Sequence, residues 1–525
     1  MSLFRKKSLH DMLANAADSE KGLKRTLSSA NLVALGIGAI IGAGLFVRTA
    51  AGAAEASGAA ITLSFVIAAV GCAFAGLCYA EFAAMIPISG SAYAYSYVTM
   101  GELVAWIIGW ALVMEYALGA ATVSIAWSEY LNNLLGGAIP YEWCHSPFES
   151  IKKVVGQANI DQIGVFNTEF VKTAKNGILI LNDKQFDLLP TNLVGLVQVT
   201  SGIINAPALV ILLLITLVLI KGTQESAMVN GIIVFVKVAI VLLFIGIGWQ
   251  FINPANYTPY MIPDNTIGHE GFFKHGWGGV LGGAGIVFFA FIGFDAVSTA
   301  AQEAKNPKRD MPIGILGSLV VCTILYILFG HVLTGVANWA EFNSAGKEAS
   351  VSYVIQTYMK GYEWLGTSVT VAILAGFSSV ILVMLMGQSR VFYSMSNDGL
   401  IPKAFGELHP KYKTPYKSNL ILFVFVGLFA AFVPGSVAGD LTSFGTLFAF
   451  VLVSLGVLLL RRKSPELVRP FKTPLVPLVP ILGIIICTGM IIALDIHTLT
   501  VASLWMVFGL FIYFLYSRKN SKLHK

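Results

Sequence analysis

The chain has 525 residues, of which 12 % are charged and 56 % hydrophobic, with 52 Gly and a formal net charge of +6. Soluble domains carry about 25 % charged residues, so this composition excludes an ordinary cytosolic enzyme, a coiled coil and a disordered chain. It points instead to a polytopic membrane protein, and the 34 Lys and Arg are too few, and too one-sided in their placement, to serve nucleic-acid binding.

In chain order, residues 1–28 are polar and mixed in charge, so they are expected to form a tail and not a signal peptide. Windows of about 20 apolar residues, long enough to cross the hydrocarbon core, follow at Thr26–Val47, Ala56–Ala80, Leu103–Ser128, Leu188–Ile220, Ser226–Gln250 and His275–Ala300. Six more follow at Met311–Ala340, Trp364–Ser389, Ser418–Gly439, Leu441–Leu460, Thr473–Leu494 and Ile496–Ser517. The runs are continuous, unlike the alternating segments of about 10 residues in a membrane barrel. They predict an all-α polytopic membrane protein with twelve transmembrane helices in a domain over 29–517. Ten spans fall in a core of about 29–460 and two more in about 473–517, before a tail at 518–525. An insertion of about 137–187 carries Pro140, Pro147 and charges of both signs, and is expected to form an ordered cap or a loose loop.

With the N-terminus inside, 24 of the 34 basic residues fall in inner loops and tails. Nine fall outside, five of them in the long insertion, and Lys237 lies within a span. The positive-inside rule therefore puts both termini in the cytoplasm and the protein in the cytoplasmic (inner) membrane. Of the five Cys, four lie in apolar windows and only Cys144 in the polar insertion, so no structural disulfide is expected.

Three ionisable residues interrupt the windows: Glu115, Lys237 and Asp295. A charge at mid-membrane costs several kcal/mol, so each marks either a fixed interhelical bond or a polar path. Two helices also look broken. Gly36, Gly38, Gly42 and Gly44 weaken the first span, each costing about 1 kcal/mol against Ala, although Gly38 and Gly42 also form a GxxxG packing pair. A Rossmann loop is a poor alternative, because the third Gly and the strand context are missing. In the sixth span, Gly293 and Asp295 interrupt the aromatic run Phe288–Phe294. Breaks at matching places in two five-span halves point to an inverted-repeat transporter, whose freed N–H groups and carbonyls bind the substrate. Pro87–Tyr97 reads as an aromatic interfacial segment, with part of an inner gate as the alternative.

These stretches resemble the amino acid permeases of the amino acid–polyamine–organocation superfamily, specifically bacterial relatives of the cationic amino acid transporters. The resemblance rests on Gly36–Phe46, Tyr79–Phe82 with Pro87–Tyr97, Gly109–Tyr116, Asn230–Lys237 and Phe288–Pro312. Gly387–Arg390 through Gly399–Pro402 and Arg469–Phe471 also match, so the likeness runs from about 24 to 516 and departs at the insertion. It implies a five-plus-five inverted repeat with broken helices 1 and 6 and two additional helices. It also implies a midplane site for an amino acid. The N–H groups of Gly42, Ala43 and Gly44 would hold the α-carboxylate, and carbonyls near Ile40, Phe289, Ala290 and Ile292 the α-ammonium. Phe289 would close over the substrate, while Met384 would shape the side-chain pocket, although Met is also a common core filler.

Lys237 matches the family position that reaches the place where related symporters hold Na⁺. The expectation is therefore Na⁺-independent, H⁺-coupled uptake, with Lys237, Glu115 and Asp295 as the candidate proton sites. The small residues Gly42, Ala43 and Gly44 suit a small neutral L-amino acid such as alanine. A cationic substrate paired with Glu115 is the alternative. No nucleophile, metal or cofactor signature is present, so an enzyme is not expected; a channel lacks a filter motif, and an amino-acid sensor would share the same motifs.

Overall fold

The computed structural model describes residues 5–7, 27–86, 91–167, 170–174, 177–181, 183–221, 227–343, 350–412 and 414–523. Most of the N-terminal tail and the Pro87–Gly90 part of the tyrosine segment lie outside the described residues. Among the described residues, eight helices are long and apolar enough to cross a membrane, and Ser29–Ile40, Ala206–Lys221, Tyr416–Phe432 and Leu478–Ile492 are shorter apolar helices. Helices serve here because lipid offers no partner to a backbone N–H or C=O, so each span must satisfy its own. Leu214, Phe235, Val424 and Leu504 stay exposed on the outside of the bundle, which suits faces turned to lipid.

The first expected break sits at Ile41–Ala43. The Ser29–Ile40 helix starts where the Ser28 hydroxyl accepts from the Asn31 N–H, and ends with Ile41 in an extended conformation. Helix resumes at Gly44 and continues, through a turn at Gly58, to Met85. Gly58 has φ 65°, a conformation glycine reaches without steric cost. The first span therefore does not stop near Val47: Arg48 is 3 % exposed and ion-paired with Asp440 of the Gly435–Lys463 helix. The second break follows Gly276–Val287. A tight 3₁₀ turn at Phe288–Phe291 leads to Gly293 at φ 115°, and a second 3₁₀ stretch runs over Asp295–Glu303.

Two expectations need correction. The chain is mostly helical but not all-α, because the insertion carries a three-stranded antiparallel sheet. Its strands are β1 (Ser150–Val155), β2 (Ile178–Leu181) and β3 (Val197–Ser201), with β1 in the centre. The insertion also runs past 187: a helical turn at Thr191–Val194 and strand β3 precede the next apolar helix, which starts at Ala206. The 188–205 stretch looked like membrane because Leu189 and Leu193 are apolar, but they bury in a separate core with Val154, Ile160 and Leu179. That unit is tied to the membrane helices through His145, which stacks on Tyr141 at 3.6 Å and ion-pairs with Glu129 at 2.8 Å.

The tyrosines of the 91–99 helix do not face an interface. Tyr93, Tyr95 and Tyr97 are each 1 % exposed, Tyr93 donates to Asp398 (2.8 Å) and Tyr97 to Glu102 (3.0 Å). Both chain tails close over this end. The Arg5 carbonyl accepts from the Glu102 N–H, Lys7 pairs with Asp398 at 2.7 Å, and Ser521 donates to Glu102. At the same end Glu81, 1 % exposed, takes Arg461 at 3.0 and 2.8 Å, Arg469 at 3.2 Å and the Thr473 N–H at 2.8 Å.

Candidate functional site

The two breaks lie against each other. A Cβ on Gly44 would fall 2.2 Å from the Ala290 Cα, and one on Gly293 2.8 Å from the Ala39 carbonyl oxygen. Both contacts are with backbone or a fixed methyl, so only glycine permits this approach. Gly42 faces Val380 of the Glu363–Asn397 helix, where a Cβ would lie 3.2 Å from a valine methyl. Ile41, Ala43, Phe289, Ala290 and Ile292 are all buried.

The last carbonyls of a helix have no intrahelical partner, and at this break they have identifiable ones. The Ile37 carbonyl accepts from the Ile41 N–H. The Gly38 carbonyl accepts from Lys237 Nζ at 2.9 Å. The Ile40 carbonyl accepts from the Tyr326 hydroxyl at 3.0 Å, and that hydroxyl lies 2.9 Å from the Ala290 carbonyl of the other break. Two carbonyls from two broken helices thus converge on one phenol oxygen, which has a single proton to share between them. A group with several N–H donors would serve that point better. On the other side of the break, the Leu45 and Phe46 N–H groups donate back to the Gly42 carbonyl at 3.2 and 3.4 Å, and the start of the resuming helix carries partial positive charge.

Lys237, 3 % exposed, reaches its carbonyl across Gly376, whose Cβ position lies 2.7 Å from the lysine Cε. It therefore joins the 29–40, 227–248 and 363–397 helices at one point. Glu115 and Asp295 are both fully buried and lie within electrostatic reach of each other. The Tyr116 hydroxyl donates to Asp295 Oδ2 at 2.6 Å, Tyr79 lies within electrostatic reach of both carboxyl groups, and Tyr95 of Asp295. Met384 lies against the 119–134 helix, its sulfur 2.9 Å from where a Gly119 Cβ would be. So Ile40, Gly44 and Ala290 come together, with Gly42, Ala43, Phe289 and Ile292 in the breaks themselves. Lys237 lies beside them, Glu115 and Asp295 are buried within electrostatic reach of each other, and Met384 packs on the neighbouring helix.

Tyr326, the Tyr116–Asp295 bond and the Arg48–Asp440 pair were not singled out from sequence. A lone phenol in the apolar window Met311–Ala340 was the available signal for the first. Gln388 was also passed over: it is 0 % exposed and neither amide atom has a hydrogen bond among the described residues.

A mostly helical membrane protein whose two broken helices meet, with backbone carbonyls converging between them, has the architecture of a membrane permease. A sequence profile of the amino acid permease family matches residues 27–516, and the chain belongs to that family, as the resemblance implied. It is 42 % identical over 524 residues to the branched-chain amino acid permease BcaP of Bacillus subtilis, covering 100 % of this chain and 99 % of that one. It is 38 % identical over 525 residues to the methylthioribose transporter of the same organism, covering 100 % of both. The vacuolar cationic amino acid transporter 4 of Arabidopsis thaliana is 30 % identical over 465 residues, 89 % of this chain and 68 % of that one. These relatives are permeases and transporters, so the chain is a transport protein and not an enzyme.

Proposed function

We propose that the chain is a secondary active transporter that takes up small neutral L-amino acids such as alanine, driven by H⁺ and independent of Na⁺. It works in the cytoplasmic membrane with both termini inside. Twelve spans make up the fold, counting the four shorter apolar helices, with a five-plus-five inverted repeat in the first ten. The observation that carries this reading is the convergence of the Ile40 and Ala290 carbonyls on the Tyr326 hydroxyl. An α-ammonium has three donors where the phenol has one, so it displaces the hydroxyl and fills both carbonyls. The α-carboxylate then meets the N–H groups of Gly42, Ala43 and Gly44 at a helix N-terminus, where anions are favoured.

The ammonium of Lys237 on the Gly38 carbonyl supports Na⁺ independence, because a fixed cation already occupies the carbonyl end of the first break. Glu115 and Asp295 support H⁺ coupling, because two buried carboxyl groups near the second break are groups that a proton can join and leave during the cycle. A branched-chain substrate is the second reading, favoured by the name of the 42 % identical relative. Purified protein in liposomes tests all of this. Labelled alanine uptake driven by an inward pH gradient, with none added by a Na⁺ gradient, supports the proposal. Competition by serine, leucine, isoleucine, arginine and methylthioribose ranks the substrates, and strong inhibition by arginine alone overturns the neutral reading.

A further inference from the structure

At the end of the bundle that carries both chain tails, a groove of about 310 Å³ opens between the start of the 102–134 helix and the last turns of the 435–463 helix. Its walls are Met100, Val104, Leu452, Leu455 and Leu459. Lys6 and Lys463 complete its lining. Leu455 is 37 % exposed, so the apolar wall continues onto the outer face of the bundle.

Two lysines over one greasy groove call for an occupant with an anionic head and a hydrocarbon body. Among the described residues neither ammonium has a carboxylate within ion-pair distance, although the chain supplies such partners nearby: Lys7 takes Asp398 and Arg461 takes Glu81. Burial and the charge of Lys463 push the Lys6 ammonium down from its ordinary pKa, so the two cations repel each other. Both lysines are exposed at the groove mouth, and the backbone that carries Lys6 is anchored there by its neighbours. The Arg5 carbonyl is bonded to the Glu102 N–H at 2.9 Å, the Arg5 guanidinium donates to the Leu523 carbonyl at 2.8 Å, and the Lys7 N–H donates to the Tyr97 carbonyl at 3.3 Å.

We infer that this groove binds an anionic phospholipid, with the phosphate between Lys6 and Lys463 and one acyl chain along Leu452, Leu455 and Leu459. Basic residues beside membrane helices attract anionic lipid at about 1 kcal/mol each, and the walls offer a chain the same apolar contact it has in the bilayer. The lipid then ties the N-terminal segment to the 435–463 helix and relieves the repulsion between the two ammonium groups. The inference is independent of the substrate reading, since no residue of the groove lies in either helix break.

The test uses the full-length protein in nanodiscs of phosphatidylcholine alone or with phosphatidylglycerol, and in phosphatidylcholine nanodiscs with inorganic phosphate. Thermal unfolding and native mass spectrometry of retained lipid are the readouts. Phosphatidylglycerol is expected to raise the melting temperature and to be retained by the wild-type chain. Lys6→Gln and Lys463→Gln should each weaken retention about fivefold, and the double variant roughly twenty-five-fold, from about 1 kcal/mol per lysine. Lys403→Gln, an exposed lysine outside the groove, should retain lipid as the wild type does. Equal retention by the double variant overturns the inference. So does equal stabilisation by phosphatidylcholine, or by inorganic phosphate, which would reduce the site to a binder of small anions. Because retention is read directly by mass, a variant that melts early still gives an answer.

Discussion

Tyr326→Phe isolates what the phenol does at the meeting of the two breaks. The substitution removes one oxygen and leaves the ring, which packs at 5.2 Å from Phe291 and 5.5 Å from Phe65. In the empty protein the Ile40 and Ala290 carbonyls lose the hydroxyl that lies 3.0 and 2.9 Å away. A made hydrogen bond is worth about 1 kcal/mol net, and a buried carbonyl left without a partner costs about 1–3 kcal/mol. A value near 1.4 kcal/mol, a factor of ten, is a conservative figure for the empty closed state. In the proposed binding mode the loaded state keeps its energy, because the substrate ammonium would serve the same two carbonyls. In the proposed cycle the empty carrier must pass through this closed state to return, so the variant should return empty about tenfold more slowly but return loaded at the normal rate. In liposomes this separates two assays: net uptake into substrate-free vesicles falls about tenfold, while exchange against internal alanine stays within twofold. An equal fall in both, or no change in either, refutes the idea that the hydroxyl and the ammonium compete for one point.

Other predictions follow from the same geometry. Lys237→Met keeps a stem of similar bulk over Gly376 but removes a charged hydrogen bond worth about 1.5–3 kcal/mol. H⁺-driven uptake should fall at least tenfold, and wild-type rates would dismiss Lys237 from the cycle. Gly44→Ala drives a methyl into the Ala290 backbone, so uptake should be abolished while the protein still reaches the membrane, as checked by uptake beside surface labelling. At His145 burial disfavours the charge, but the hydrogen bond and charge of Glu129 outweigh it, with smaller help from the Tyr141 carbonyl and Glu149, and raise the pKa above 6.5. A raised histidine pKa stabilises most below the unfolded value, and the benefit is lost as pH rises through the folded one. Proteolysis of the 137–205 unit should thus speed up as pH climbs above about 6.5 in the wild type, and lose that dependence in His145→Gln.

Much of this was legible in the chain itself. The apolar windows, the glycine-weakened first span and the Gly293–Asp295 interruption announced themselves because lipid leaves so few residue types to choose from. What stayed hidden was pairing across distance. Arg48 was only one of the nine basic residues counted outside until Asp440 was beside it, and Tyr326 was a single phenol in the mostly apolar Met311–Ala340 window until two carbonyls converged on it. The 188–205 stretch misled for another reason: leucines that fill a small soluble core look the same, one by one, as leucines that face lipid. The tyrosines after the second span misled likewise, since burial against Asp398 and Glu102 needs partners that lie far away in sequence or on a later helix.

The carboxylate of Glu81 has a mechanical consequence. Two guanidinium groups and a backbone N–H hold it, and pulling one partner from such a buried set costs about 3–5 kcal/mol, several times thermal energy. The Glu81 end of the 61–85 helix, the last turns of the 435–463 helix and the segment leading to the last two helices are therefore pinned together. Whatever swings during turnover must swing about that junction. Probes attached near 81 and 469 should keep a constant separation throughout the cycle, and so provide the stationary reference against which the moving helices can be measured.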